Sequence, residues 1–362
     1  MSFVNGPINV TMFKLSQKLP ENFLKLFAAY AARPLEEVKD EPQLGWTTGR
    51  HLLETQINDA TAICGGHLYL NLRKAERKIP ALTLKTLCQR EEQIYMTANK
   101  VEFVPKSVKR EIRQNAIDMT WLKMPVQFSG IPFVVDLASN ILYAGTTSQG
   151  QLDDLICMFY KTTNVEPYHY TIKEMCADLG ITEADLPSVS FSPESKPGDL
   201  TPGRDFLTWL WYYNEKFGGS AGIDSSFELM VEGPLTFAGT DETKGAHDIT
   251  IKNGGCPLRS SEAKAALLVG KKLKKAKIAL GCEGKVWSCT FDADHVTFSS
   301  LSLPEGEEME HNSRFQERIQ NLDFFRQAIN AYFKLFVNTV RSIHWQQTEK
   351  NLQTWALERD SY

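Results

Sequence analysis

The sequence predicts an α+β fold in which antiparallel sheets carry packed helices, and three observations lead there. Alternating stretches are joined by tight-turn residues. KAKIAL (275–280) places Lys275 and Lys277 on one side and Ala276, Ile278 and Leu280 on the other, and Glu283-Gly284 then turns the chain into KVWSCTF (285–291). Helical periodicity is equally plain in SRFQERIQNLDFFRQAINAYFKLFVNTV, where Phe315, Ile319, Leu322, Phe324 or Phe325, Ile329 and Phe333 form a wide apolar stripe. The composition is that of an ordinary globular chain of 362 residues: 42% hydrophobic, 23% charged and 10% aromatic, enough for a sizeable core.

In chain order, INVTMFKLS reads as a strand and PENFLKLFAAYAA as a helix, followed by the turn-rich stretch RPLEEVKDEPQLGWTTGR. ATAICGGHLYLNLRKAERKIP reads as a hairpin turning at Cys64-Gly65-Gly66-His67. Helical patterns follow over 80–98 and 105–122, then a buried strand with its return in GIPFVVDLASNILYAG and a helix in SQGQLDDLICMFYKTT. SFSPESKPGDLTPGRD is rich in Pro, Gly and Ser and reads as a linker. DFLTWLWYYNEKF is an aromatic helix whose Trp209, Trp211, Tyr212 and Tyr213 cannot share one face, so core packing explains most of them better than base stacking. SSEAKAALLVGKKL is a helix with Ser260 or Ser261 placed to cap it and Gly270 near its end. HVTFSSLSL supplies a further strand, and the tail 345–362, with two tryptophans, suits another helix. The resulting divisions are an N-terminal α/β part (1–79), a helical insertion (80–128), a return to the central region (129–189), a linker (190–205), a C-terminal α+β domain (206–340) and a tail (341–362).

Seven scattered cysteines read as reduced thiols of a cytoplasmic protein, not as a disulfide framework. No secretion signal and no membrane span are expected. Cys64-Gly65-Gly66-His67 is half of a metal motif without a second half, so no metal or other cofactor is expected. No nucleophile elbow, phosphate loop or paired-histidine zinc motif occurs, and the glycines of GGSAG (218–222) lack the Lys-Ser/Thr of a phosphate loop. Asp292, Asp294 and His295 in FDADHV are the best carboxylate cluster for a metal-dependent nuclease, the enzymatic alternative, although an Asp-rich turn explains the same letters. Asp241-Glu242-Thr243-Lys244 reads as an exposed loop. The chain is therefore read as a non-enzyme.

Charge is distributed unevenly. Residues 70–125 carry a net +6 and residues 259–277 another +6, which leaves −16 for the rest of a chain whose total is −4. Basic segments on an acidic background suit a bound polyanion. Over 107–119, Val108, Ile112, Ala116 and Met119 make an apolar seam, and Lys106, Lys109, Arg110 and Arg113 make a basic ridge. Five lysines, Lys271, Lys272, Lys274, Lys275 and Lys277, crowd the start of KAKIAL and would occupy the solvated sheet face and the turn before it. A lysine-rich strand kept soluble, or a scaffold for acidic protein partners, is the alternative without DNA.

Several blocks in fixed order carry a family resemblance: LGW (44–46), LNLRKAERKIP (70–80), KVEFVPKSVKREIRQNAIDMTWLKMPVQFSGIPFVVD (100–136), GRDFLTWLW (203–211), SEAKAALLVGKKLKKAKIAL (261–280) and SRFQERIQNL (313–322). Together they resemble the recombination-associated protein RdgC family. The segment 185–240 is longer than in shorter members of that family, and the tail after 340 has no clear counterpart. The resemblance implies a head-to-head homodimer closed into a ring, a nucleoid-associated protein that binds duplex DNA without reading sequence. Single-stranded DNA is a further partner it allows. It also implies restraint of the RecA recombinase by occupation of its DNA. Carried onto this sequence, the resemblance implies Arg73, Lys74, Arg77, Lys78 and the five lysines of 271–277 as DNA-binding residues, and with the ridge Lys106, Lys109, Arg110 and Arg113 they make up the expected DNA-binding set. The projecting arm 80–128 would meet the partner subunit, with KMPVQFSG as its tip and Trp121 and Phe128 as contacts. Pro125 and Val126 stand where some relatives place another aromatic. If about eight phosphates are neutralised, log affinity should fall against log salt with a slope of about −7.

Overall fold

A computed structural model describes residues 3–38, 41–193, 200–220, 227–239, 246–252, 255–306 and 310–362. Its first half runs β1 (Ile8–Leu15), α1 (Phe23–Ala29), β2 (Gln43–Thr48), α2 (Asp59–Ala62), β3 (Ile63–Cys64), β4 (His67–Arg77), α3 (Ala81–Asn99), α4 (Lys106–Trp121), β5 (Val126–Asp136), β6 (Ile141–Ala144), α5 (Gln149–Thr163), β7 (Pro167–His169) and α6 (Ile172–Asp178). The second half runs α7 (Pro202–Phe217), β8 (Glu228–Ala238), β9 (Asp248–Ile251), α8 (Ser261–Leu268), β10 (Lys272–Cys282), β11 (Lys285–Asp292), β12 (Thr297–Ser302), α9 (His311–Val340) and α10 (Trp345–Glu358). The architecture is α+β: one twelve-stranded antiparallel sheet and these ten helices.

Strand order along the sheet is β2-β4-β5-β6-β1-β12-β11-β10-β8-β9, with β3 pairing β4 and β7 pairing β1. The first strand pairs with β6 on one side and β12 on the other, so it joins the two halves into a continuous sheet. The proposed linker does not separate two cores. Phe191 and Ser192 are buried, Pro202 already opens α7, and 194–199 lie outside the described residues. The Asp241–Lys244 loop and part of GGSAG also lie outside them.

The thirty-residue α9 lays its apolar stripe across one sheet face, and Phe315, Ile319, Leu322, Phe325, Ile329 and Phe333 are all buried. Trp209 and Trp211 of α7 pack in the same core, as expected of that aromatic helix. A second core, under α1 and α5, gathers Phe27, Trp46, Leu70, Phe133 and Phe159 on the opposite face of the N-terminal strands. Local signals worked where they were strong. Glu283 and Gly284 both have positive φ at the β10–β11 turn, and the Ser260 hydroxyl accepts from the Ala263 N–H at 3.1 Å to cap α8.

The stretch read as turns contains β2, an edge strand held by its neighbours. The Trp46 N–H donates to the Tyr30 carbonyl at 3.0 Å, and the Ala32 N–H to the Trp46 carbonyl at 2.8 Å. Close approach at Gly45 makes this possible, since a Cβ there would lie 2.4 Å from the Ala32 Cα. Gly45→Ala is expected to destabilise the chain by about 2 kcal/mol through forced separation of backbones, read as a lower urea midpoint. An unchanged midpoint would mean that the approach is not tight.

Candidate nucleic-acid interface

The first basic region is built on a long ribbon. β4 and β5 pair from Leu68↔Val135 out to Arg77↔Val126, and α3 and α4 are inserted at its end. These two helices pack on each other and hardly at all on other elements among the described residues. On α4, Val108 and Ile112 are half-buried and Ala116 is buried against α3, whereas Met119 is 70% exposed. The seam therefore continues through Thr120, four residues on from Ala116, and not through Met119.

Lys106, Lys109, Arg110 and Arg113 form the exposed ridge. Lys109 bonds Glu92 of α3 at 3.1 Å, but Lys106, Arg110 and Arg113 have no carboxylate partner among the described residues. Lys85, Lys100 and Lys123 are likewise exposed without such a partner. They belong to the basic region 70–125 in sequence, but no shared helical face there marks them as a group. The arm from 81 to 123 also carries Glu102, Glu111 and Asp118 on its surface, and its net charge is +3.

At the root of the arm, three of the four basic residues of 73–78 hold structure. Arg73 is buried and donates to the carbonyls of Leu52, at 3.3 Å, and Arg33. Lys74 bonds Asp154 of α5 at 2.8 Å, which raises its pKa. Arg77 donates to the carbonyls of Val38, at 3.0 Å, and Met124, tying both ends of the insertion together. Lys78 is the most exposed of the four and pairs with Glu76. The segment read as the arm's tip lies at this root as well: Val126–Phe128 begin β5, and Phe128 stands opposite Ala75. The distal turn of the arm is Lys100–Pro105, where Phe103 is 75% exposed. Trp121 is half-buried at the end of α4, and Phe128 is exposed on β5.

The second basic segment differs from the expected open platform. Lys271 is buried with its ammonium donating to the carbonyls of Ala246 and His247, and Lys272 is buried against Asp205 and the Thr201 hydroxyl. Neither lies on a solvated face. Lys274 bonds Asp248 at 3.2 Å and approaches Asp294 at 3.9 Å, Lys275 bonds Asp292 at 2.8 Å, and Lys277 bonds Glu232 at 2.9 Å. Arg204 forks onto Asp294 at 2.6 and 2.8 Å, and this hydrogen bonding raises its pKa. Five of these six cations thus face five carboxylates, and Lys271, held by neutral carbonyls, leaves a local sum of only +1. Sequence distance hid this matching, because Asp205 and Asp248 lie far from the lysines along the chain.

Asp292, Asp294 and His295 occupy the β11–β12 turn, with His295 3.6 Å from Asp292. Both carboxylates are engaged by the cations above, and among the described residues no three His, Cys, Asp or Glu side chains gather as a metal site. All seven cysteines are free, and Gly65 and Gly66, both with positive φ, make Cys64–His67 a turn. Among the described residues, no helix is long and apolar enough to cross a membrane.

The structure does not merge the two basic regions into one patch. β4 and β10 stand six strand spacings apart in the sheet order, about 29 Å at ordinary strand separation. No protein-family model and no curated protein matches this chain.

Proposed function

We propose that this chain binds duplex DNA without reading its sequence, as a homodimer that encircles the DNA and restrains RecA-dependent recombination by occupying it. The observation that carries the DNA part is the contrast between the two basic regions. Six exposed cations on the arm, Lys85, Lys100, Lys106, Arg110, Arg113 and Lys123, have no carboxylate partner among the described residues, although Arg90 and Lys109 pair with Glu91 and Glu92, whereas the lysines of β10 are matched charge for charge. Phosphates are held by cations whose charge is not already cancelled, and backbone contacts of this kind position a protein without specifying bases. Uncovered apolar side chains on the same arm, among them Leu82, Phe103, Met119 and Leu122, favour self-association through it. The family resemblance supplies the ring and the antagonism of RecA.

The matched charges on β10 reduce the expected number of phosphate contacts. With Lys85, Lys100, Lys106, Arg110, Arg113 and Lys123 as the contacting set, the slope of log affinity against log salt is about −5 per arm. Fluorescence anisotropy on two unrelated duplexes across a salt series checks this. Equal affinities and a steep slope support the proposal, and a tenfold preference for one duplex would replace it with base readout.

A further inference from the structure

A cavity of about 480 Å³ lies between the end of α1, the start of β2, β4 and α5, well within the range of small-molecule sites. Its apolar wall includes Tyr30, Leu44 and Met158, and three cations, Arg33, Arg73 and Lys161, line it. Asp154 is the lining carboxylate, and it is already bonded to Lys74 at 2.8 Å.

Arg73 is the informative member. Arg73 is 4% exposed, and among the described residues its guanidinium meets only neutral carbonyls and its Nε has no hydrogen-bond partner. Buried charges in proteins are normally paired, because desolvation costs several kcal/mol per ion. Burial accordingly lowers the pKa of Arg73. Arg33 and Lys161 are exposed at the mouth without carboxylate partners among the described residues, and the Lys161 ammonium sits 5.6 Å from the centroid of the Tyr30 ring. An anion in the cavity would supply the missing countercharge. The volume exceeds what a bare phosphate fills, and the Tyr30–Met158 wall suits a flat ring.

We infer that this cavity binds a phosphate ester of mononucleotide size, with its phosphate toward Arg33, Arg73 and Lys161 and its ring on the Tyr30–Met158 wall. A free nucleotide and the phosphorylated end of a DNA strand share that chemistry. The site is separate from the arm and does not depend on duplex binding.

Equilibrium dialysis of the full chain tests it with four probes: deoxyadenosine 5′-monophosphate, inorganic phosphate, and a short single strand with either a 5′-phosphate or a 5′-hydroxyl. Saturable nucleotide binding with a Kd below about 1 mM is expected. Arg33→Glu and Lys161→Glu, both at exposed positions, should each weaken it about tenfold. Cys157, exposed on the cavity wall, should react more slowly with maleimide in the presence of nucleotide. Tighter binding of the 5′-phosphorylated strand than of the nucleotide identifies a strand end as the source, and equal or weaker binding identifies the free nucleotide. Absence of saturable binding by every phosphorylated probe, inorganic phosphate matching the nucleotide, or unchanged affinity in both variants would overturn the inference. The Lys106→Glu/Arg110→Glu/Arg113→Glu arm variant should retain the site, which separates its failure from failure of duplex binding.

Discussion

Replacing Lys106, Arg110 and Arg113 together by Glu is expected to lower duplex affinity about a hundredfold, with the salt slope reduced by about three for each arm engaged. All three side chains are exposed on α4 and have no carboxylate partner among the described residues, so their full charge is available to phosphates. Folding should be unaffected, because the α4 seam runs through Val108, Ile112 and Ala116. The matching experiment on β10 should give a different result. Lys275→Gln/Lys277→Gln removes charges that Asp292 and Glu232 already offset, and affinity should change by less than about threefold. Anisotropy titrations of the two variants read both effects. A β10 variant that loses binding while the arm variant keeps it would reverse the assignment.

The second large effect concerns stability. Asp205 of α7 and Lys272 of β10 form an ion pair inside the core, with side chains 1% and 10% exposed. Burial pushes Asp205 up to about 6, with the nearby Lys272 ammonium pulling the other way. Asp205→Ala strands a buried ammonium, with the Thr201 hydroxyl at 3.1 Å as its remaining partner, and is expected to cost about 3–5 kcal/mol in unfolding free energy. Asp205→Leu with Lys272→Met removes both charges and should recover most of that loss. A single variant as stable as the native chain would show the pair to be solvated.

The sign of the pH effect follows from the raised pKa. The folded state holds the Asp205 proton to higher pH than the unfolded chain does, so this group's contribution is fully present below about 3.9 and is lost as pH rises through about 6. Relative to Asp205→Asn, the native chain should gain stability on going from pH 7 to pH 5, by about 1 kcal/mol. Urea titrations at the two pH values measure that difference.

Much of the fold was legible because its signals are local. The stripe of α9, the Glu283-Gly284 turn and the Ser260 cap each need only a few neighbouring residues. The edge strand β2 was missed because Pro42 and Gly45 read as turn residues, and the strand exists through pairing with β4 and close packing on Ala32. Phe191 was assigned to a linker because composition does not reveal burial. The candidate site was legible as regional charge and illegible as available charge. Whether a lysine is free depends on acids brought to it by the fold, as Asp248 is to Lys274 and Asp154 is to Lys74.

The most direct test is an anisotropy titration of the native chain into one labelled duplex at low ionic strength, followed by stepwise addition of salt. Saturable binding is expected, weakening with a log–log slope of about −5 for each arm engaged and so about −10 for a dimer holding the duplex with both. A flat trace at low salt would contradict DNA binding and return both basic regions to the role of solvated surface.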